Sequence, residues 1–243
     1  MITETSTFRA GLGIDGARAG WVVASEGDGR PALRLVPALD SIVDEIAERG
    51  ALVDIPIGLP GGEHSTRACD QRARRLLGPR RSSVFPAPSR AALVASDWVE
   101  ANDVNRHSTG RGLPRQSWGL VPKIRDVDRL LGRHRNLRGR IRESHPELAF
   151  AWLNGGAPME HPKKDPTGLA RRWEVLGDVW PGVEAHSIEW ASDHPGVSPD
   201  DVADALALLT LASSGARPLP IEPDLDEAGL PMEILVHPSL TPE

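Results

Sequence analysis

Three short apolar segments at the start of the chain constrain its fold more than any other feature. Residues 8–14 (FRAGLGI), 20–25 (GWVVAS) and 32–37 (ALRLVP) each have the length and composition of a β-strand, and the turns DGARA and EGDGRP separate them. Strands this close in sequence can pair only as an antiparallel meander. Asp40 or Ser41 then caps a helix reaching about Arg49, with Ile42, Val43, Ile46 and Ala47 on one face. Ala51–Ile57 follows as a buried strand that interrupts its apolar run at Asp54.

The later segments alternate. The pattern predicts helices over about 65–77, 89–104, 122–132 and 168–177, with loops at 79–90 and 155–168. Leu137–Glu143 reads as a strand, His145-Pro146 opens a helix, and Pro199–Leu211 is a well-marked helix. The Pro-rich tail holds one further strand candidate, Met232–Val236. A meander followed by alternating strands and helices points to an α/β fold, with a five-stranded mixed sheet covered by helices. This order resembles that of the ribonuclease H-like fold, although other α/β folds could share it. The expected organisation is a single domain over 1–243 with a basic, largely helical insertion at about 60–135.

The formal charge of −6 conceals an asymmetry: residues 60–142 carry +11 and the remainder −17. A basic middle either forms solvated helix faces or attracts a polyanion towards an acidic site. No apolar run is long enough to span a bilayer, and MITETSTFRA lacks the basic and apolar regions of a secretory signal. Cys69 is the only cysteine, so no intrachain disulfide can form, and a reducing, cytoplasmic setting is expected.

Five acids are candidates for chemistry. Asp15, in LGIDGARAGW, is expected where the first strand ends, among small residues; taken alone, a turn explains it. GLGIDG also matches the dinucleotide pattern G-x-G-x-x-G, but that motif needs a helix next, and GWVVAS is a strand. Glu143 alternates onto the face of Leu137 and Ile141, where a metal or an arginine must compensate its charge. Ser198 and Asp201 have capping-box spacing, which accounts for Asp201. Asp204 lies one turn deeper among Ala and Leu, and capping does not explain it. Asp54 either joins the site or caps the next turn. Oxygen ligands of this kind suit Mg²⁺ or Mn²⁺. Two such ions could activate water for phosphodiester hydrolysis.

The stretches GIDGARAGWVVA, VDIPIGLP, RACDQRARRLLGPRRSSVFPAPSR, GLPRQSWGLVPKIRDVD, ESHPE, KKDPTGLARR and DDVADALALLTLA span nearly the whole chain. They resemble the family called domain of unknown function 429, described as a predicted nuclease with a ribonuclease H fold. The resemblance implies metal-binding and catalytic roles for Asp15, Glu143, Asp201 and Asp204; Asp54 is a further catalytic candidate from its place at a strand end, not from the resemblance. Its motifs supply Arg67, Arg74, Arg81, Ser83, Arg90, Gln116, Lys123, Lys164 and Arg171 as candidate contacts to a nucleic-acid backbone. Trp98 and Trp118 could stack on bases, although core packing suits both better. The expected function is a metal-dependent nuclease acting on DNA or RNA. The alternatives are an actin-like or sugar-kinase-like phosphotransferase and a non-catalytic nucleic-acid-binding protein. The first alternative lacks a second phosphate loop before the last helix.

Overall fold

The computed structural model describes residues 7–241. The first six residues of the segment read as lacking a secretory signal, and both ends of the expected 1–243 domain, therefore lie outside the described residues. The meander forms as expected: β1 (Leu12–Ala17), β2 (Gly20–Glu26) and β3 (Pro31–Val36) pair antiparallel. Helix α1 (Val43–Arg49) leads to β4 (Ala51–Val53), and β5 (Ile141–Glu143) comes much later. The sheet order is β3-β2-β1-β4-β5, with β1, β4 and β5 parallel. The result is a five-stranded mixed α/β sheet flanked by helices, as the order of elements predicted.

Helices cover both faces of the sheet. On one face α8 (Pro199–Ser214) lies across β1 and β2 and packs with α5 (Pro146–Leu153), α6 (Pro166–Gly177) and α7 (Val183–Ser192). On the other, Ile46 of α1 and Val121, Ile124, Val127 and Leu130 of α4 (Arg115–Arg133) pack against Leu12, Ile14 and Val53. Gly13 sets the close approach on the α8 side. A Cβ there would lie 2.2 Å from both the Ala205 carbonyl oxygen and the Leu209 amide nitrogen. Only glycine lets the helix backbone rest directly on the strand.

Several boundaries differ from the sequence reading, each for a physical reason. Strand β1 continues through Asp15 to Ala17, and Ala17 pairs with Gly20, so only Arg18 and Ala19 form the turn. The 89–104 segment divides into a short 3₁₀ turn and α3 (Trp98–Thr109), which Asp97 caps by accepting from the Glu100 amide. Helix α4 runs seven residues upstream of Pro122. A proline there forfeits one helical hydrogen bond, a cost of about 3 kcal/mol, which burial of Val121, Ile124, Val127, Leu130 and Leu131 offsets. The 60–135 segment is largely helical, but α4 forms the core of one sheet face. Helix α2 (Ala68–Leu77) packs against α5 and a second small sheet, β6 (Arg217–Leu219) with β7 (Ile234–Val236). Helix α7 buries only Val183, Ser187 and Ala191, too sparse a pattern to read as a helix. Among the described residues, no helix is long and apolar enough to cross a membrane.

Candidate metal centre

Strands β1 and β4 are parallel neighbours, so their carboxyl ends lie together; in α/β sheets that edge is where ligands bind. Asp15 is an interior strand residue opposite Val22, not a turn residue. Alternation places it with Gly13 on the face that α8 covers. Asp54 follows β4, two residues beyond Leu52, which packs on that same face. Asp204 projects from α8, and it is the one charged residue in the buried run Val202–Ala212. The three side chains converge, with one carboxylate oxygen from each lying within 4.8 Å of the others.

Close approach of buried acids has a cost. Two ionised carboxylates at this separation repel by about 3 kcal/mol at an effective dielectric near 20. Burial, then Asp204 and Asp54, hold the Asp15 carboxyl well above the usual carboxylate range. Burial pushes Asp54 up, against the pull of His145 and Lys163. Burial also pushes Asp204 up to about 7, with Lys163 opposing. The Lys163 ammonium donates to Asp204 Oδ2 at 2.5 Å and lies 3.3 Å from Asp200 Oδ2. Among the described residues, neither the Asp15 nor the Asp54 side chain has a hydrogen-bond donor. Three oxygen donors from three rigid elements, with one lysine to balance them, fit a hard divalent cation such as Mg²⁺ or Mn²⁺.

Lys163 stands in the loop between α5 and α6, and buried contacts hold that loop in place. Arg172, fully buried in α6, donates to the carbonyls of His161 and Gly168 and to Glu147 Oε1 at 2.5 Å. A Cβ on Gly168 would lie 2.1 Å from the Pro162 carbonyl oxygen, so the loop crosses α6 where no side chain intervenes.

Two of the predicted metal ligands are engaged elsewhere. Glu143 pairs in register with Val53, on the sheet face opposite Asp15 and Asp54. Its Oε2 accepts from Arg67 Nη2 at 2.5 Å and from the Ile57 amide at 2.7 Å. The charge on the apolar face is thus compensated by an arginine. Asp201 closes the capping box, its Oδ2 accepting from the Ser198 amide at 2.8 Å. Both acids line the same cavity as the triad, but neither belongs to the converging group.

That cavity has a volume of about 530 Å³. Of the predicted backbone contacts, Ser83, Lys123 and Lys164 line it. Lys123 is also held back, donating to the Gly20 carbonyl at 2.5 Å with its ammonium over the Trp21 ring. Arg67 is buried between Glu143 and Asp70. Arg74 donates to the Val84 carbonyl, and Arg90 bridges Asp128 and Asp226. Arg81 and Gln116 are exposed outside the lining, and Arg171 pairs with Glu174. Arg125, Arg138 and Arg140 likewise cap backbone carbonyls. Much of the basic middle segment is thus tied into the structure and does not form one phosphate-binding face.

Sequence reasoning missed Lys163, His145 and Phe85, which line the cavity together with Arg80 of the basic 67–90 stretch. His145 Nδ1 accepts from the Glu147 amide, which leaves the Nε2 proton facing the Ser83 carbonyl. The ring is therefore engaged at both nitrogens. Trp98 donates to the Leu113 carbonyl and Trp118 packs beside the α4 core, so Phe85 is the exposed aromatic at the cavity.

A search of curated proteins and of solved structures returned no match. Residues 13–224 match the family described as "Protein of unknown function (DUF429)". Asp15, Asp54, Lys163 and Asp204 all fall within the matched stretch, which covers most of the sequence, and the chain belongs to this family.

Proposed function

We propose that this protein is a metal-dependent phosphodiesterase acting on nucleic acid, with Asp15, Asp54 and Asp204 as the ligands of its ion. The observation that carries this reading is the convergence of three buried carboxylates from β1, the end of β4 and α8 at the carboxyl edge of the sheet. The ligand set replaces Glu143 and Asp201 of the sequence expectation with Asp54. A Mg²⁺ or Mn²⁺ ion bound there would polarise a phosphoryl oxygen and lower the pKa of an attacking water. Asp15 and Asp204 would hold the ion in a fixed position, because strand and helix are locked together at Gly13. Lys164 and Arg80 supply positive charge at the same cavity, drawing in a phosphate that the acids would otherwise repel. Its volume falls in the range of single-ligand sites, roughly 300–1,000 Å³. This size supports a substrate entering as one nucleotide unit, with Phe85 offering a face for its base.

The test is hydrolysis of a panel of single-stranded, duplex and branched DNA and RNA, with and without Mn²⁺. Metal-dependent cleavage that disappears in Asp15→Asn and Asp54→Asn is expected. Wild-type protein that binds Mn²⁺ yet cleaves nothing on the panel would sink the nuclease reading.

A further inference from the structure

We propose that the Lys163 ammonium is a built-in second cation, so that the acidic centre takes one divalent ion where a two-metal mechanism needs two. This rests on the metal reading of the same site. Among the described residues, Asp15, Asp54 and Asp204 form the only group of three or more potential ligands with the spacing of a shared ion. Each remaining carboxylate nearby has one oxygen engaged by another partner, although Glu147 Oε2 is buried without one. Glu143 is held by Arg67 at 2.5 Å, Glu147 Oε1 by Arg172 at 2.5 Å, and Asp201 by the helix cap. Asp200 Oδ2 and Asp204 Oδ2 could complete a second site, and Lys163 stands between them at 3.3 and 2.5 Å.

An ammonium there offsets one of the three charges of the triad. A divalent ion offsets the other two, and the centre is then electrically balanced. The position of Lys163 does not depend on a bound ion, because Gly168 and Arg172 fix the loop that carries it. A lysine is also a compact point charge, which suits a place otherwise taken by a metal. In this arrangement Lys163 is a positioning residue for Asp204.

Metal stoichiometry tests the inference without reference to catalysis. Calorimetric titration of the metal-free protein with Mn²⁺, checked by electron paramagnetic resonance, is expected to show one ion per chain. Lys163→Met is expected to bind two, because Asp200 and Asp204 become free to hold the second; Lys163→Arg is expected to remain at one. Two ions in the wild type overturn the inference, and so does Lys163→Met remaining at one ion. A wild type that binds no Mn²⁺ overturns it together with the metal reading. One ion in the wild type, two in Lys163→Met, and no hydrolysis on the panel would leave this inference standing while the proposed activity fails.

Discussion

Two groups of buried carboxylates sit near the same edge of the sheet, and they are neutralised in different ways. On one side of β4 and β5, Glu143 and Asp70 flank the fully buried Arg67, and the Ile57 amide completes the set. On the other side, among the described residues the triad of Asp15, Asp54 and Asp204 has one ion-pair partner, Lys163, bonded to Asp204. In the first group the cation is built in: Arg67 and the Ile57 amide hold Glu143, with Asp70 3.6 Å from Arg67, although Arg67 Nε and Nη1 have no hydrogen-bond partner. The second is short of positive charge and of donors, although both groups line the same cavity. A buried ionic group with its partner built in serves the fold, whereas one left incomplete is organised to receive a ligand.

The comparison breaks most visibly at Arg67. Replacement by Met leaves Glu143 and Asp70 buried without their cation, and the expected loss is about 3–5 kcal/mol in urea unfolding. A loss under 1 kcal/mol would mean that Arg67 is not the built-in cation of this group. Asp15→Asn should act in the opposite sense. At pH 8 without metal it relieves repulsion, so the stability of the apoprotein rises, while hydrolysis falls by more than the roughly 10- to 100-fold typical of outer-shell partners. If Asp15→Asn destabilises the apoprotein at pH 8 without affecting Mn²⁺ binding, the contrast between the groups is lost.

The pH dependence sharpens the same point. The fold holds Asp204 near 7, above the roughly 4 of an unfolded aspartate, so the folded state binds the extra proton. The Asp204 contribution to metal-free stability should be full below about pH 4 and should fall as pH rises through about 7. Mn²⁺ at a hundredfold excess over its dissociation constant should restore about 2.7 kcal/mol at pH 8. A flat profile without metal, measured by chemical unfolding, would contradict the assignment. The smallest effect is expected at Phe85, which lies outside both groups. Phe85→Ala should weaken nucleotide binding by about 1–2 kcal/mol through lost stacking, leaving Mn²⁺ affinity unchanged. Equal weakening of nucleotide and of ribose 5-phosphate would show that Phe85 does not meet the base.

Local signals carried much of the fold. The meander, the capping box at Ser198 and Asp201, and the His145 cap of α5 were legible because each depends on residues close in sequence. Weakly periodic α7, and β6 with Pro218 inside it, were not. Asp204 stood out in the sequence as an aspartate in an Ala and Leu helix, and burial on all sides is the reason. Asp15 was read at the end of the first strand, and the strand runs two residues further, to Ala17, because the hairpin is tighter than its glycines suggest.

The sequence alone determined that an acid lies on the first strand and another on the last helix, since strand alternation and helix capping are local rules. Only the tertiary structure decided which acids meet. The register of β5 against β4 turns Glu143 to the far face, and Gly13 brings Asp204 down onto Asp15. The loop pinned by Arg172 delivers Lys163, not its neighbour Lys164, to Asp204. Each of these is a long-range contact, in which the side chain facing the site depends on a partner dozens of residues away.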